Sequence, residues 1–325
     1  MAHESLAGRY RFVRAVARPD DGRQWEAVDE TSGDSVSLTL LDADGGAEAA
    51  RRLCDEARRR AALDHPGILP VREVGLAGET VFVASDPLPG PTLAQVIEER
   101  GPLPSEEVMS YADQVCAALA HAHANGVVHL GLDPTALVLG ADGSVRVTGF
   151  AVPRPLRGRT PAVSGADGPV REAYRAPEEA PDGPVDERAD LYALGCVLTA
   201  LLTGRPPFEG DTVHDLVEQH RRVPPRLRDV PPDTSELVDA LVADMLAKRP
   251  QDRPASAVEV RIRLVGGQVP GSGPGLADAG EEGVPSGPRR SWSVLLPVYV
   301  LVAGLLLTGA LVIVATHGHA LLRLL

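Results

Sequence analysis

Three histidines, His121, His123 and His129, fall within nine positions of the chain, and a carboxylate, Asp133, follows four positions after the last of them. Imidazoles at that spacing suit a metal centre, and an imidazole near a carboxylate suits general acid–base work. The rest of the same stretch, His129-Leu130-Gly131-Leu132-Asp133-Pro134-Thr135-Ala136, carries no other ionisable group. Further on, Gly149-Phe150-Ala151 has none at all. The thiols Cys54, Cys116 and Cys196 lie far apart, each inside an apolar helical pattern, and read as buried free cysteines suited to a reducing compartment. Almost every basic residue is arginine. Lys248 is the only lysine, so chemistry that needs an amine has a single candidate.

Such groups act only when a scaffold positions them, and hydrophobic periodicity divides that scaffold in two. The first part predicts short strands over 10–16, 24–28, 36–41, 71–74 and 80–84, interrupted by one arginine-rich helix over 47–63. From residue 92 onward the period becomes helical, over 92–100, 105–125, 188–202, 212–222, 234–247 and 256–265. Ser105, before Glu106-Glu107, and Thr234, before Glu236, read as N-caps. A hairpin pairs 137–139 with 145–148 across Ala141-Asp142-Gly143-Ser144. The fold class is α+β, a five-stranded half carrying one helix followed by a helical half.

Specific residues in the second half carry a resemblance. Asp190-Leu191-Tyr192-Ala193-Leu194-Gly195, followed by Leu201-Leu202-Thr203-Gly204-Arg205-Pro206-Pro207-Phe208, resembles the central helix of bacterial Hanks-type Ser/Thr protein kinases. Tyr174-Arg175-Ala176-Pro177-Glu178 is similar to their Ala-Pro-Glu motif, and Lys248-Arg249-Pro250-Gln251-Asp252-Arg253-Pro254 to their late Arg-Pro element. Asp64-His65-Pro66-Gly67-Ile68 and the run from Ala122 to His129 fit the same family. The resemblance implies a two-lobed fold over residues 6–265, with an N-lobe to about 86 and a C-lobe from about 87. It also places His123, His129, Glu56, Phe150, Glu178, Asp190 and Arg253 at structural positions, which removes the metal reading of the histidines.

Phosphoryl transfer is mostly positioning and electrostatics, so a kinase needs a glycine-rich loop, a third-strand Lys, a catalytic Asp, and an Asn and an Asp for magnesium. Against that pattern, residues 17–26 (ARPDDGRQWE) hold one glycine and two adjacent aspartates that would repel phosphate. The Lys position is Thr39. In the catalytic loop Leu130 replaces the Arg, Gly131 the base, Asp133 the nearby Lys and Ala136 the magnesium-binding Asn, while Gly149 stands for the second magnesium ligand. One lost charge stabiliser costs ~2.7–4 kcal/mol. Two already approach a ~10⁴-fold slowing. The expectation is a pseudokinase without magnesium, with ATP binding not expected. Two alternatives stay open: an atypical Ser/Thr kinase using Asp133 as a displaced base, and a metal-independent nucleotide sensor using the hinge near Asp86 and Leu88.

The 325 residues carry a net charge of -13, which disfavours a nucleic-acid partner. Charges interrupt the first thirty residues every few positions, so a secretory signal is not expected there. Residues 294–315 (VLLPVYVLVAGLLLTGALVIVA) form a charge-free apolar run long enough to cross a bilayer. Arg289 and Arg290 before it, against Arg323 after it, favour a cytoplasmic N-terminal side. A Gly/Pro-rich linker over 266–290 precedes the span, and 316–325 form a short outer tail. The expectation is a single-pass membrane protein acting as a signalling scaffold. By resemblance its partners are an active Ser/Thr kinase or a phosphothreonine-reading domain, with Thr160 and Ser164 as candidate phospho-acceptors.

Overall fold

The structure, a computed structural model, describes residues 5–16, 23–43, 45–153, 172–179, 185–210, 212–221 and 230–266. The linker beyond residue 266, the candidate span 294–315, the tail, Thr160 and Ser164 lie outside the described residues.

The N-lobe is built on one antiparallel sheet in the order β1-β2-β3-β4-β6-β5. Its strands are β1 (Ser5–Leu6), β2 (Tyr10–Ala15), β3 (Arg23–Asp29), β4 (Ser35–Asp42), β5 (Val71–Ala77) and β6 (Thr80–Ser85). The sequence predicted five strands. The additional β1 is two residues long, paired with Arg11 and Tyr10, and too short to display a period of two. Alternation assigns the two faces. Tyr10, Val36, Leu38, Leu40, Phe82 and Ala84 pack together on one, and Leu41, Val74, Val81 and Val83 pack on the other, against Cys54 and Ala57 of α1 (Gly46–Ala61). Gly75 is required by its neighbour, since a Cβ there would stand 2.4 Å from the tip of the Phe82 ring.

The C-lobe comprises α2 (Leu93–Arg100), α3 (Ser105–Ala124), the hairpin β7 (Leu137–Leu139) with β8 (Val145–Val147), α4 (Arg188–Thr203), α5 (Val213–His220), α6 (Glu236–Met245) and α7 (Ala257–Gly266). Every residue of α4 from Ala189 to Leu202 is buried, so this helix is the axis of the lobe. A helix apolar on all sides can only sit inside a core. It stops where Gly204 adopts φ 79°, the left-handed terminus that glycine tolerates best. Two expected caps move. Pro104 holds the N-cap place of α3, and the Ser105 N–H donates instead to Asp233 Oδ2 at 3.1 Å. Ser235 rather than Thr234 caps α6, accepting from the Val238 N–H. Adjacent Thr and Ser are equivalent to a propensity argument, and the backbone register decides between them. Among the described residues no helix is long and apolar enough to cross a membrane.

Candidate functional site

A cleft of about 540 Å³ opens between the N-lobe sheet and the start of the C-lobe. That volume lies within the range usual for small-molecule sites, ~300–1,000 Å³. It brings together Thr39, Leu88, His129, Gly131, Asp133, Ala136, Gly149 and Phe150, which lie up to 111 positions apart in the chain. Leu130 and Glu56 are held outside it, and Asp86 is engaged elsewhere. The Asp86 N–H donates to the Pro70 carbonyl at 3.0 Å, and its carboxylate accepts from Arg72 at 2.6 Å.

The floor is fixed from below by Asp190. This fully buried carboxylate accepts the backbone N–H groups of His129 and Leu130, each at 2.8 Å, and the Nε2–H of His123, also at 2.8 Å. Three charge-assisted bonds to one buried group satisfy it and immobilise the loop. They hold Leu130 at φ 57°, a left-handed conformation costly for leucine, while its side chain is buried in the C-lobe core. His129 donates from Nε2 to the Thr148 carbonyl at 2.7 Å and meets Phe150 edge-on at 4.7 Å. Burial lowers its pKa, so the ring stays neutral. Gly149 stands beside it at φ 88°, where a Cβ would lie 3.4 Å from His129 Nε2.

Asp133, the one carboxylate of the loop, is turned onto its own backbone. Its Oδ1 accepts from the Thr135 N–H at 2.7 Å, from the Thr135 hydroxyl at 2.5 Å and from the Ala136 N–H at 3.2 Å, capping the 3-10 turn Pro134–Ala136. Asp is a preferred residue at such a helix start, because its carboxylate satisfies otherwise orphaned donors. On the roof, Thr39 lies in β4 between Gln24 and Val83. Glu56 is paired with Arg59 and, at 2.9 Å, with Arg60 Nε; these two arginines hold its pKa below the usual carboxylate range. The Nη1 of Arg60 continues to the Val128 carbonyl at 3.0 Å, tying α1 to the residue before His129. Arg60 is a cleft residue the sequence reading missed; the signal was its i,i+4 spacing from Glu56.

The cationic charge in the cleft is therefore already spent. Its two described arginines are Arg60, on Glu56, and Arg14, whose Nε is 3.2 Å from Glu26 Oε2. Magnesium needs several oxygen ligands, commonly one or two carboxylates. Ala136 and Gly149 have no side-chain oxygen, and Asp133 Oδ1 is taken by its cap, so these positions offer a magnesium ion little of the ligand set it needs. Among the described residues no cluster of His, Cys, Asp or Glu is arranged to hold a metal. Lys248 is equally remote from such a role. It lies in the C-lobe, donating to the Tyr192 hydroxyl at 3.1 Å and standing 4.4 Å over the Phe208 ring, and burial pushes its pKa down to about 8.

Behind the cleft, Glu178 and Arg253 are joined at 2.7 Å between Oε2 and Nη2. The guanidinium also donates to the carbonyls of Ala247, Arg188 and Lys248 and stacks on Tyr192 at 4.7 Å.

Compared with known proteins, residues 20–261 match the family model described as the protein kinase domain. The chain belongs to the protein kinase family. Its relatives place it in the bacterial Hanks-type Ser/Thr branch. It is similar to the serine/threonine-protein kinase PknB of Mycobacterium leprae, 34% identical over 236 residues, which cover 69% of this chain and 37% of the relative. The PknB of Mycobacterium tuberculosis is 33% identical over 237 residues, with the same coverage. The serine/threonine-protein kinase PrkC of Bacillus subtilis is 29% identical over 263 residues, covering 80% of this chain and 40% of that protein. The chain thus spans about two fifths of the length of these curated relatives. The described geometry joins Asp190 to the loop at 129–130 and Glu178 to Arg253, and Thr39, Gly131, Ala136 and Gly149 line the cleft above them.

Proposed function

We propose that this chain is a pseudokinase: a kinase-fold module that does not transfer phosphate and acts as a signalling scaffold on the cytoplasmic face of the membrane, anchored by residues 294–315. The observation that carries the reading is the state of Asp133. The only carboxylate left in the loop is bonded to Thr135 and Ala136 as a turn cap, and the arginines that share its cleft are bonded to Glu56 and Glu26. A triphosphate entering there would meet no unpaired described cation. The full chain incubated with labelled ATP and either magnesium or manganese tests this. No transfer to itself or to a generic protein substrate is expected, and turnover abolished by Asp133→Ala would overturn the reading in favour of an atypical Ser/Thr kinase.

A second reading, metal-independent nucleotide sensing, draws support from the size of the cleft and from Leu88 on its wall. A nucleotide held there stabilises the fold by ~2.7 kcal/mol at 100 Kd. A thermal-shift titration separates the two readings, since a pure scaffold shows no change at millimolar ATP without magnesium. The partners in this proposal are proteins, an active Ser/Thr kinase or a phosphothreonine-reading domain, with Thr160 and Ser164 as acceptors. Phosphopeptide mapping after incubation with an active relative tests the acceptors.

A further inference from the structure

The last described helix leaves an apolar face in water. Val258, Ile262 and Val265 of α7 are 52%, 67% and 65% exposed, among the six large apolar residues so exposed in the described chain. Their spacing of four and then three places all three on one stripe, opposite the face that buries Ala257, Val260 and Leu264 against the core. Scattered exposed apolar residues are ordinary; a helix stripe of three β-branched ones is not. Valine and isoleucine also cost helix propensity relative to the polar residues usual on a solvated face, so their presence calls for a contact.

The chemistry of the stripe narrows what covers it. A membrane-surface helix pairs Trp, Phe or Leu on one side with free Lys and Arg on the other. Here both arginines of α7 are taken, Arg261 by Asp113 at 2.7 Å and Arg263 by Asp244 at 2.6 Å, and the chain is acidic overall. The chain's own following segment, 267–293, offers Val269, Leu276, Val284 and Trp292 spaced seven or eight apart among Gly and Pro, with no helical apolar period to match. The pattern Val-x-x-x-Ile-x-x-Val does match another helix of the same kind, as the d, a, d positions of a heptad, with isoleucine at a. In parallel two-stranded pairs a β-branched residue is favoured at a.

We infer that α7 pairs in parallel with α7 of a second copy of this chain, and that the shared membrane makes the contact possible. This rests on the membrane anchoring proposed above. Three half-exposed aliphatic side chains bury on the order of a few hundred Å², well under the ~1,200 Å² at which stable interfaces begin, so free domains stay apart. Two copies anchored in one bilayer differ. Twenty-seven residues of this Gly- and Pro-rich composition, 267 to 293, span ~30 Å on a coil estimate, which would confine α7 to a thin layer beside the bilayer where copies meet in two dimensions rather than three. Parallel pairing also sends both chains toward the same membrane, as anchoring requires.

The test uses the full chain in lipid vesicles at low protein-to-lipid ratio. Ile262→Cys, oxidised, is expected to form a disulfide-linked dimer many times more efficiently than Glu98→Cys on α2. Fluorescence transfer between donor- and acceptor-labelled copies is expected to fall at least threefold with Ile262→Asp, and in detergent at high dilution both are expected to run as monomers. Because the stripe is exposed, Ile262→Asp should leave the melting temperature of the domain unchanged, which separates lost pairing from lost folding. Transfer unaffected by Ile262→Asp, or quenching of a probe at position 258 by brominated lipid, would overturn the pairing in favour of the span alone or of a lipid surface. None of these outcomes bears on phosphotransfer, so the pseudokinase reading stands or falls separately.

Discussion

The two layers of the cleft floor differ in how their polar groups are used. Below it, Asp190 receives two backbone N–H groups and His123, and Arg253 spends its guanidinium on Glu178 and three carbonyls, so buried charge is matched bond for bond. At its surface, Gly131, Ala136 and Gly149 have no polar side chain, and Asp133 is bonded to its own turn. The lower layer is what a fold needs, because a buried charge left unpaired is severely destabilising. The upper layer is where the proposed loss of phosphoryl transfer lies, and Gly131, Ala136 and Gly149 leave no buried charge there to be matched.

That contrast is most easily broken from below. Glu178→Ala strands the Arg253 guanidinium, whose side chain is fully buried, and is expected to cost ~3–5 kcal/mol in urea denaturation; a loss under 1 kcal/mol would mean the lower layer is dispensable too. Next comes acid. Burial, and then the nearby Lys248, push His220 down to about 4, and its Nδ1 accepts from the Tyr192 hydroxyl at 2.7 Å. The unfolded chain binds this proton near pH 6.5 and the folded chain only near 4. The stability it contributes is therefore complete above pH ~6.5 and lost as pH falls toward 4, on the order of 3 kcal/mol. His220→Gln should flatten that limb of the stability-versus-pH curve.

Between the layers, Arg60→Met removes a charged bond to Glu56 and another to the Val128 carbonyl, an expected loss of ~1.5–3 kcal/mol. Hydrogen exchange should accelerate in α1 and around residue 128 together; acceleration in α1 alone would show that the tie does not reach the loop. Changes confined to the upper layer should matter least. Gly149→Asp places a carboxylate at φ 88° and is expected to cost ~1–2 kcal/mol through strain, with no magnesium-dependent turnover gained. Asp133→Ala should cost ~1 kcal/mol as a lost cap and leave phosphotransfer at background.

Much of this was legible in the chain itself. The apolar all-round pattern of α4, the alternation of the strands and the arginine-rich α1 each follow from local periodicity, and the family motifs at 174–178, 190–208 and 248–254 set the order of the parts. Short and adjacent features were less legible. Strand β1 has too few residues to show a period, and Ser105 and Thr234 satisfied a cap rule that Pro104 and Ser235 occupy in space. In the site, Thr39, Gly131, Ala136 and Gly149 were expected from the motifs and line the cleft, whereas Arg60 was not expected, because its role depends on a carbonyl 68 positions away.

What the sequence determined alone was which groups the cleft would lack. A chain whose single lysine is Lys248 and whose loop reads Leu130, Gly131 and Ala136 supplies no amine, guanidinium or amide at those places, whatever its conformation. Where the remaining charges went was decided by the tertiary structure. Asp133, Glu56, Arg60 and Arg14 each had several partners in reach on paper, and only packing of α1 against the sheet and of the loop onto Asp190 selects among them, because ion pairs and caps depend on distances of a few ångströms that no spacing in the chain specifies.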